Sequence, residues 1–499
     1  FTSPAGSEPR LIFGIMSLSS VGNRPSMAHG VYRFVIENGH IPSKDVWNDP
    51  SMSKRDWIKP TILFREKGKT KMNLTKQFFK YVSQNILGMI GFSCYVLADS
   101  YFISIAKGAD GLTALNLVMP LYSIIFSIGE MIGVGSAIRY AISKIKKDAD
   151  ADDYFWNALI WCILSSMLFV FAGIFFSADI MRVLGADEHI VAVGNNYTKI
   201  FMCFAPMFMC NYVTNAFVRN DGAPGIAMSA TLFSSLFNIV FDYILMFPMN
   251  LGMEGAALAT ALSPIIGMGI CSIHFFSKKS SVRLVVCKPS VRKLVAGSQL
   301  GVSAFVGEMS SAVITLAFNF VILKLAGNVG VAAYGVVANI AIVTTAVFNG
   351  VAQGSQPLIS SCFGRGDKDG CTQLKRMGYT TAFVLAAVMY SILFIFAGQF
   401  VAVFNSEGSE MLRLYATEGV KLYFIGIFFA GINIVGGGAF SATEDAFKAA
   451  VVSVARGFVL ILGAVFVMSA FFGMTGVWLA YAVAEGITTF IMLVMAMRV

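Results

Sequence analysis

Four polar residues stand inside long apolar stretches of this 499-residue chain: Asp99, Asn238, Asp242 and Thr260. An ionisable side chain at lipid depth costs about 2.5–3.5 kcal/mol on insertion scales, so each needs a partner or a task. Asn238 and Asp242 lie four apart in SLFNIVFDYILMF, which puts both on one face of a helix. The next apolar run returns through a hairpin centred near Leu251, with Asp242 nine residues before that centre and Thr260 nine after it. At helical rise both lie about 13 Å below the outer ends of their helices. Asp99, in YVLADSYF, precedes the outer end of the first run near Lys107 by eight or nine residues, again about 12–13 Å. Two carboxylates, an amide and a hydroxyl at one depth offer oxygen donors only, a set that suits a hard cation or a proton and not copper or zinc. Held close together, the two carboxylates cannot both stay charged unless a cation joins them. This is the chemistry of a proton or sodium switch. The competing role is structural: hydrogen bonds that hold three helices in register.

The elements that must position these residues are membrane-spanning helices. Of the chain, 56% is drawn from AVILMFWYC and 13% is charged, against about a quarter charged in soluble domains, which excludes a single soluble globule. Forty-four Phe and 26 Met against 13 Pro favour long apolar helices, and a span needs about 20 apolar residues. Between Gly, Asn, Asp and Lys breakers we predict helices near 77–106, 112–143, 154–177, 189–213, 226–247, 254–277, 294–325, 331–361, 373–398, 410–435, 446–470 and 474–497. Twelve spans make an all-α polytopic membrane protein with both termini on one side. One set of alternate loops carries sixteen Lys and Arg, the other only Lys107, Arg182, Lys324 and Arg413. The richer side, with both termini, is expected to be cytoplasmic at the cell inner membrane. Of the net charge of +9, residues 1–71 carry +5 and the rest of the chain +4, most of its cations in short loops, so nucleic-acid binding is not expected. Eight scattered Cys, with no CxxC and no His at ligand spacing, read as small core residues and not as a disulfide or zinc framework.

Residues 1–71 hold six of the 13 prolines and no run able to span a bilayer, and Met72 would make a natural translation start. The segment is expected to be a gene-calling artefact. The alternative is a cytosolic tail whose Arg65, Lys67, Lys69 and Lys71 touch anionic lipid.

The remaining chain repeats itself. Gly111, Ala114, Val118, Gly135 and Ser136 meet Gly330, Ala333, Val337, Gly354 and Ser355 at a shift of 219. At a shift of 221, GMEGAALATALS (252–263) meets GMTGVWLAYAVA (473–484) with six identities in twelve. A duplication of six spans yields copies of the same orientation, related by an axis along the membrane normal, with a cavity between them. The expected organisation is an N-terminal six-helix lobe over 72–277, a basic linker over 278–293 and a C-terminal six-helix lobe over 294–499.

These residues resemble the multidrug and toxic compound extrusion (MATE) family, bacterial type, from Met72 to Val499. The resemblance rests on ADSYFIS (98–104), ALNLVMPLYSI (114–124), NIVFDYILMF (238–247), FNFVILKLAGNVGVAAYGVVANIA (318–341) and NGVAQGSQPLISSCFGRGD (349–367). It implies two six-helix lobes about a V-shaped cavity and export of organic, often cationic, drugs or toxins against entry of sodium or protons. It also implies that Asp99, Asn238, Asp242 and Thr260 form the cation site of the N-terminal lobe. Two departures stand out. No Pro lies between Met72 and Pro120 to bend the first helix, and the stretch 425–438 carries Asn433 where some members have an aspartate.

Glu308 resembles a glutamate that some members use in the C-terminal lobe. Glu308, Asn349, Gln353, Gln356 and Glu485 are candidates for the substrate cavity or a second site, the three amides following an i, i+4, i+7 stripe that faces the cavity or glues helices. Glu130 is a further candidate, with snorkelling as its alternative. The competing function is a lipid-linked oligosaccharide flippase with the same lobe plan, which requires arginines or lysines for a pyrophosphate. The basic residues read as loop or helix-end residues, Arg139 and Arg456 being the nearest exceptions. No HExxH, GxSxG, P-loop or dinucleotide fingerprint is present, so neither an enzyme nor a cofactor is expected. The expected partners are organic small molecules and the bilayer, with the chain a monomer.

Overall fold

The computed structural model describes residues 59–497 apart from 284 and 405–408, with side chains from Leu74. The chain divides into two compact units, Phe1–Thr75 and Lys76–Val499. The reading of residues 1–71 falls largely outside the described residues, helical backbone beginning at Lys59.

Among the described residues nine helices are long and apolar enough to cross a membrane, and a bent pair supplies a tenth crossing. Two of the nine carry a glycine break and count as two spans each, which makes twelve. They are α1 (Leu74–Gly108), α2 (Asp110–Lys146), α3 (Asp153–Val183), α4 (Glu188–Cys203 and Ala205–Asn220, bent by 46°), α5 (Pro224–Met246) and α6 (Met253–Phe275). In the second half follow α7 (291–326) and α8 (328–364), α9 (Lys368–Ile395), α10 (Glu410–Ala442), α11 (446–472) and α12 (474–496). Spanning structures are helical because no water in the bilayer core can satisfy open backbone groups. All eight cysteines are free. On α3 and α9, Leu168, Phe171, Phe175, Val384 and Val388 stand exposed, as lipid-facing side chains must.

The repeat is written into the backbone. Gly108 (φ 59°, ψ −140°) separates α1 from α2, and Gly327, 219 positions on, separates α7 from α8 with φ 62° and ψ −157°. Gly252 (φ 51°, ψ −127°) opens α6 and Gly473 (φ 57°, ψ −134°) opens α12, at the shift of 221. A Cβ disfavours such dihedrals, so glycine recurs where each pair of helices reverses.

The halves meet in a pseudo-symmetric pair of crossings near the ends that carry the basic loops. Gly135 of α2 lies on the backbone of Gly297 and Gly301 of α7, and Gly301 lies on Met131. The counterpart crossing sets Gly350 and Gly354 of α8 on Ile86 and Val82 of α1, where an added Cβ would come within 2.6 and 2.7 Å of the respective Cα atoms. Beside these crossings Arg139 forms an ion pair with Glu444, which Lys146 also approaches at 3.5 Å.

Candidate functional site

In the N-terminal half α5 and α6 form a hairpin in which Gly255 sits against the backbone of Leu245 and Met246. That close approach brings Asn238 of α5 to Thr260 of α6, and Asn238 Nδ2 donates to Thr260 Oγ1 at 3.1 Å. Gly88 and Gly91 of α1 rest on Met228 and Leu232 of α5, so α1 approaches closely enough for Asp99 to enter the electrostatic field of Asp242. Asn238 and Asp242 are 0% exposed, Thr260 2% and Asp99 6%.

Several acceptors of this cluster lack donors. Asp99 Oδ1, Asn238 Oδ1 and both carboxylate oxygens of Asp242 are buried acceptors without a protein donor. Buried polar atoms are nearly always paired. All four are oxygen acceptors, one on α1 and three on α5, and oxygen-only ligands are of the hard type. Tyr95 and the hydrogen-bonded hydroxyls of Tyr122 and Tyr197 lie in the field of Asp99.

Between the halves lies a central cavity of about 230 Å³. Its lining includes Thr260, so the cluster borders it, together with Glu130, Glu308, Asn349, Gln353 and Gln356. The amide stripe of α8 therefore faces the cavity and also bridges helices: Gln353 Nε2 donates to Glu130 Oε1 at 3.2 Å, and Arg219 Nη1 donates to Gln353 Oε1 at 2.7 Å. Arg219 is a correction to the sequence reading, which set it in a loop. It lies in the last turn of α4, is 5% exposed and lines the cavity. Only its neighbours across the cavity reveal this.

Glu485 is not among the cavity-lining residues. It is buried between α10, α11 and α12, where Arg456 Nη2 donates to its Oε1 at 2.7 Å and Asn433 Nδ2 to its Oε2 at 2.7 Å. Arg456 itself reaches the cavity. Sequence distance hid this network, since its members lie 29 to 52 positions from Glu485.

Comparison with known proteins bears on the family and the fold. The MatE family profile matches residues 85–244 and again 304–467, once in each half. The multidrug export protein MepA of Staphylococcus aureus strain MRSA252 is 27% identical over 405 residues, covering 79% of this chain and 87% of that protein. Its namesake from Staphylococcus saprophyticus is 25% identical over 424 residues, covering 84% and 92%. A solved outward-facing structure of a multidrug resistance MATE transporter of the MOP superfamily superimposes with a TM-score of 0.80 at 20% identity, covering 85% of this chain and 96% of that one. A MOP superfamily transporter from Pyrococcus furiosus, described as having a binding pocket of reverse polarity, gives 0.79 at 20% identity with the same coverage. The fold is shared with these structures, and with its profile matched in both halves the chain belongs to the MatE family of membrane transporters.

Proposed function

We propose that this protein exports organic, often cationic, drugs by cation-coupled antiport, with Asp99, Asn238, Asp242 and Thr260 as the site of the coupling ion. The observation that carries this reading is the cluster of four buried acceptors without donors. In a low-dielectric site two carboxylates repel unless a positive charge accompanies them, and either a proton or Na+ supplies it. Thr260 belongs at once to the cluster and to the cavity wall, so ion occupancy and substrate occupancy meet on α6. By linkage, an ion that lowers drug affinity has its own affinity lowered by the drug to the same factor.

The two lobes, 72–277 and 294–499 joined by the basic linker 278–293, then rock about the cavity to give alternating access. The basic loops and both termini face the cytoplasm, and the α2–α7 and α8–α1 crossings close that side. The alternative, a lipid-linked oligosaccharide flippase, requires cavity cations free to hold a pyrophosphate. Arg456 is held by Glu485, and Arg219 is engaged with Gln353 in the field of Glu130, which favours drug export.

The test is ethidium efflux in proteoliposomes with sodium and proton gradients imposed separately. One gradient is expected to drive transport and its collapse to stop it. Transport indifferent to both would end the antiport reading.

A further inference from the structure

The two halves treat their buried acids differently. Under the shift of 219, Asp99 of α1 corresponds to Phe318 of α7. Under the shift of 221, Asn238 and Asp242 of α5 correspond to Val459 and Gly463 of α11, and Thr260 of α6 to Tyr481 of α12. Aromatic rings occupy the space: Phe318 stacks on Tyr334 with centroids 5.0 Å apart, and Tyr423 on Tyr481 at 4.3 Å. The second half nevertheless keeps one buried acid between the same pair of helices. Glu485 lies four residues beyond Tyr481 and Arg456 three before Val459, each one turn nearer the basic end.

Glu485 leaves no oxygen unpartnered. Oε1 accepts from Arg456 Nε at 3.0 Å and Nη2 at 2.7 Å, and Oε2 from Asn433 Nδ2 at 2.7 Å. Asn433 is oriented by Thr489, whose Oγ1 donates to Asn433 Oδ1 at 3.0 Å. Arg456 sits in a five-residue π turn, Ala455–Val459, a local widening frequent at functional positions. Next to it, Gly457 lets α11 settle on Ser310 of α7.

We propose that the Arg456 guanidinium is a tethered counter-ion that permanently fills a monovalent-cation site at Glu485, so that the C-terminal half holds its charge while the N-terminal half exchanges its own. The proposal rests on the coupling role of the Asp99–Asp242 cluster given above. It assigns Glu485 a latent ligand, Na+ or a proton, which binds when the guanidinium is removed. The charged and titratable groups facing Glu485 are Arg456, Tyr423 and Tyr481.

The test uses the purified full chain in detergent, with the melting temperature read in NaCl against choline chloride at matched ionic strength, and across pH. Asp242→Asn, which disables the first site, is expected to lose cation response. Adding Arg456→Gln is expected to restore one, as a Na+- or pH-dependent shift of about 2 °C or more. Arg456→Lys in the same background, which keeps a tethered cation, is expected to restore none. Adding Glu485→Gln to the Arg456→Gln protein is expected to abolish the regained response. Should Asp242→Asn/Arg456→Gln fold only with Na+ or at lower pH, that dependence is itself the gain. A folded, cation-insensitive double variant, or one unfolded in every buffer, overturns the proposal, because a merely structural ion pair loses stability without acquiring a ligand. If Asp242→Asn alone keeps its full cation response, the first-site reading fails instead, and Arg456→Gln is then scored as an added response over the native protein.

Discussion

Asp242 offers two buried acceptors and no protein donor meets them, so its charge is the clearest point at which to break coupling. Asp242→Asn keeps the shape and removes one negative charge. Gradient-driven efflux is expected to fall by the size of a typical coupling, about 5- to 150-fold, while the protein stays folded, as vesicle transport and a melting curve on one preparation will report. Thr260→Val acts differently, because it deprives Asn238 Nδ2 of the acceptor it meets at 3.1 Å. A buried donor left unpaired costs about 1–3 kcal/mol, so this variant should melt earlier, and unchanged melting would mean that Asn238 finds another partner. The Asn238–Asp242 pair was legible in sequence because four residues are one turn of one helix. The Arg456–Glu485 pair was not, because it depends on how α11 and α12 are rotated toward each other, and apolar runs with faces buried in both lobe and lipid carry little phase information.

The helices reverse through glycines whose dihedrals a Cβ opposes. Gly473, at φ 57° and ψ −134°, is expected to cost about 1–3 kcal/mol when changed to Ala, read as a lower melting temperature. Gly252→Ala should behave alike, since its dihedrals are the same within a few degrees. Gly301 has a different task. A side chain there meets the Met131 carbonyl of α2, so Gly301→Leu should force α7 off α2, with an overpacking cost of about 1–3 kcal/mol. The expected span positions agree with the helices found, most ends differing by a few residues. The exceptions are informative. α4 was expected to end near 213 and runs to Asn220 through a 46° bend, and that extra length carries Arg219 off the loop and onto the cavity wall.

Contacts between the halves include the two related crossings, the Arg139–Glu444 pair and the bonds of Gln353 with Glu130 and Arg219, so the alternating access proposed above requires them to separate. Glu444→Lys replaces attraction by repulsion toward Arg139 and Lys146. Partly exposed pairs contribute up to about 1 kcal/mol, which shifts the balance between closed and open forms about five-fold. Spin labels at Lys147 and Arg365, in the first and second halves, are expected to show a larger share of long distances in this variant. An unchanged distribution would exclude the pair as a latch.

Local chemistry was readable in order along the chain: hydrophobic runs of bilayer length, glycine breaks at matching offsets and two polar residues one turn apart are properties of neighbouring residues, and the energetics of lipid act on them directly. The repeat then implied two similar bundles without any knowledge of contacts. Which side chains face each other across the bundle was settled only by packing. Arg219 meets Gln353, Arg456 meets Glu485, and Asp99 enters the field of Asp242 because helix rotation and glycine-mediated approach set those encounters, and both depend on residues on different helices, well beyond the reach of local sequence.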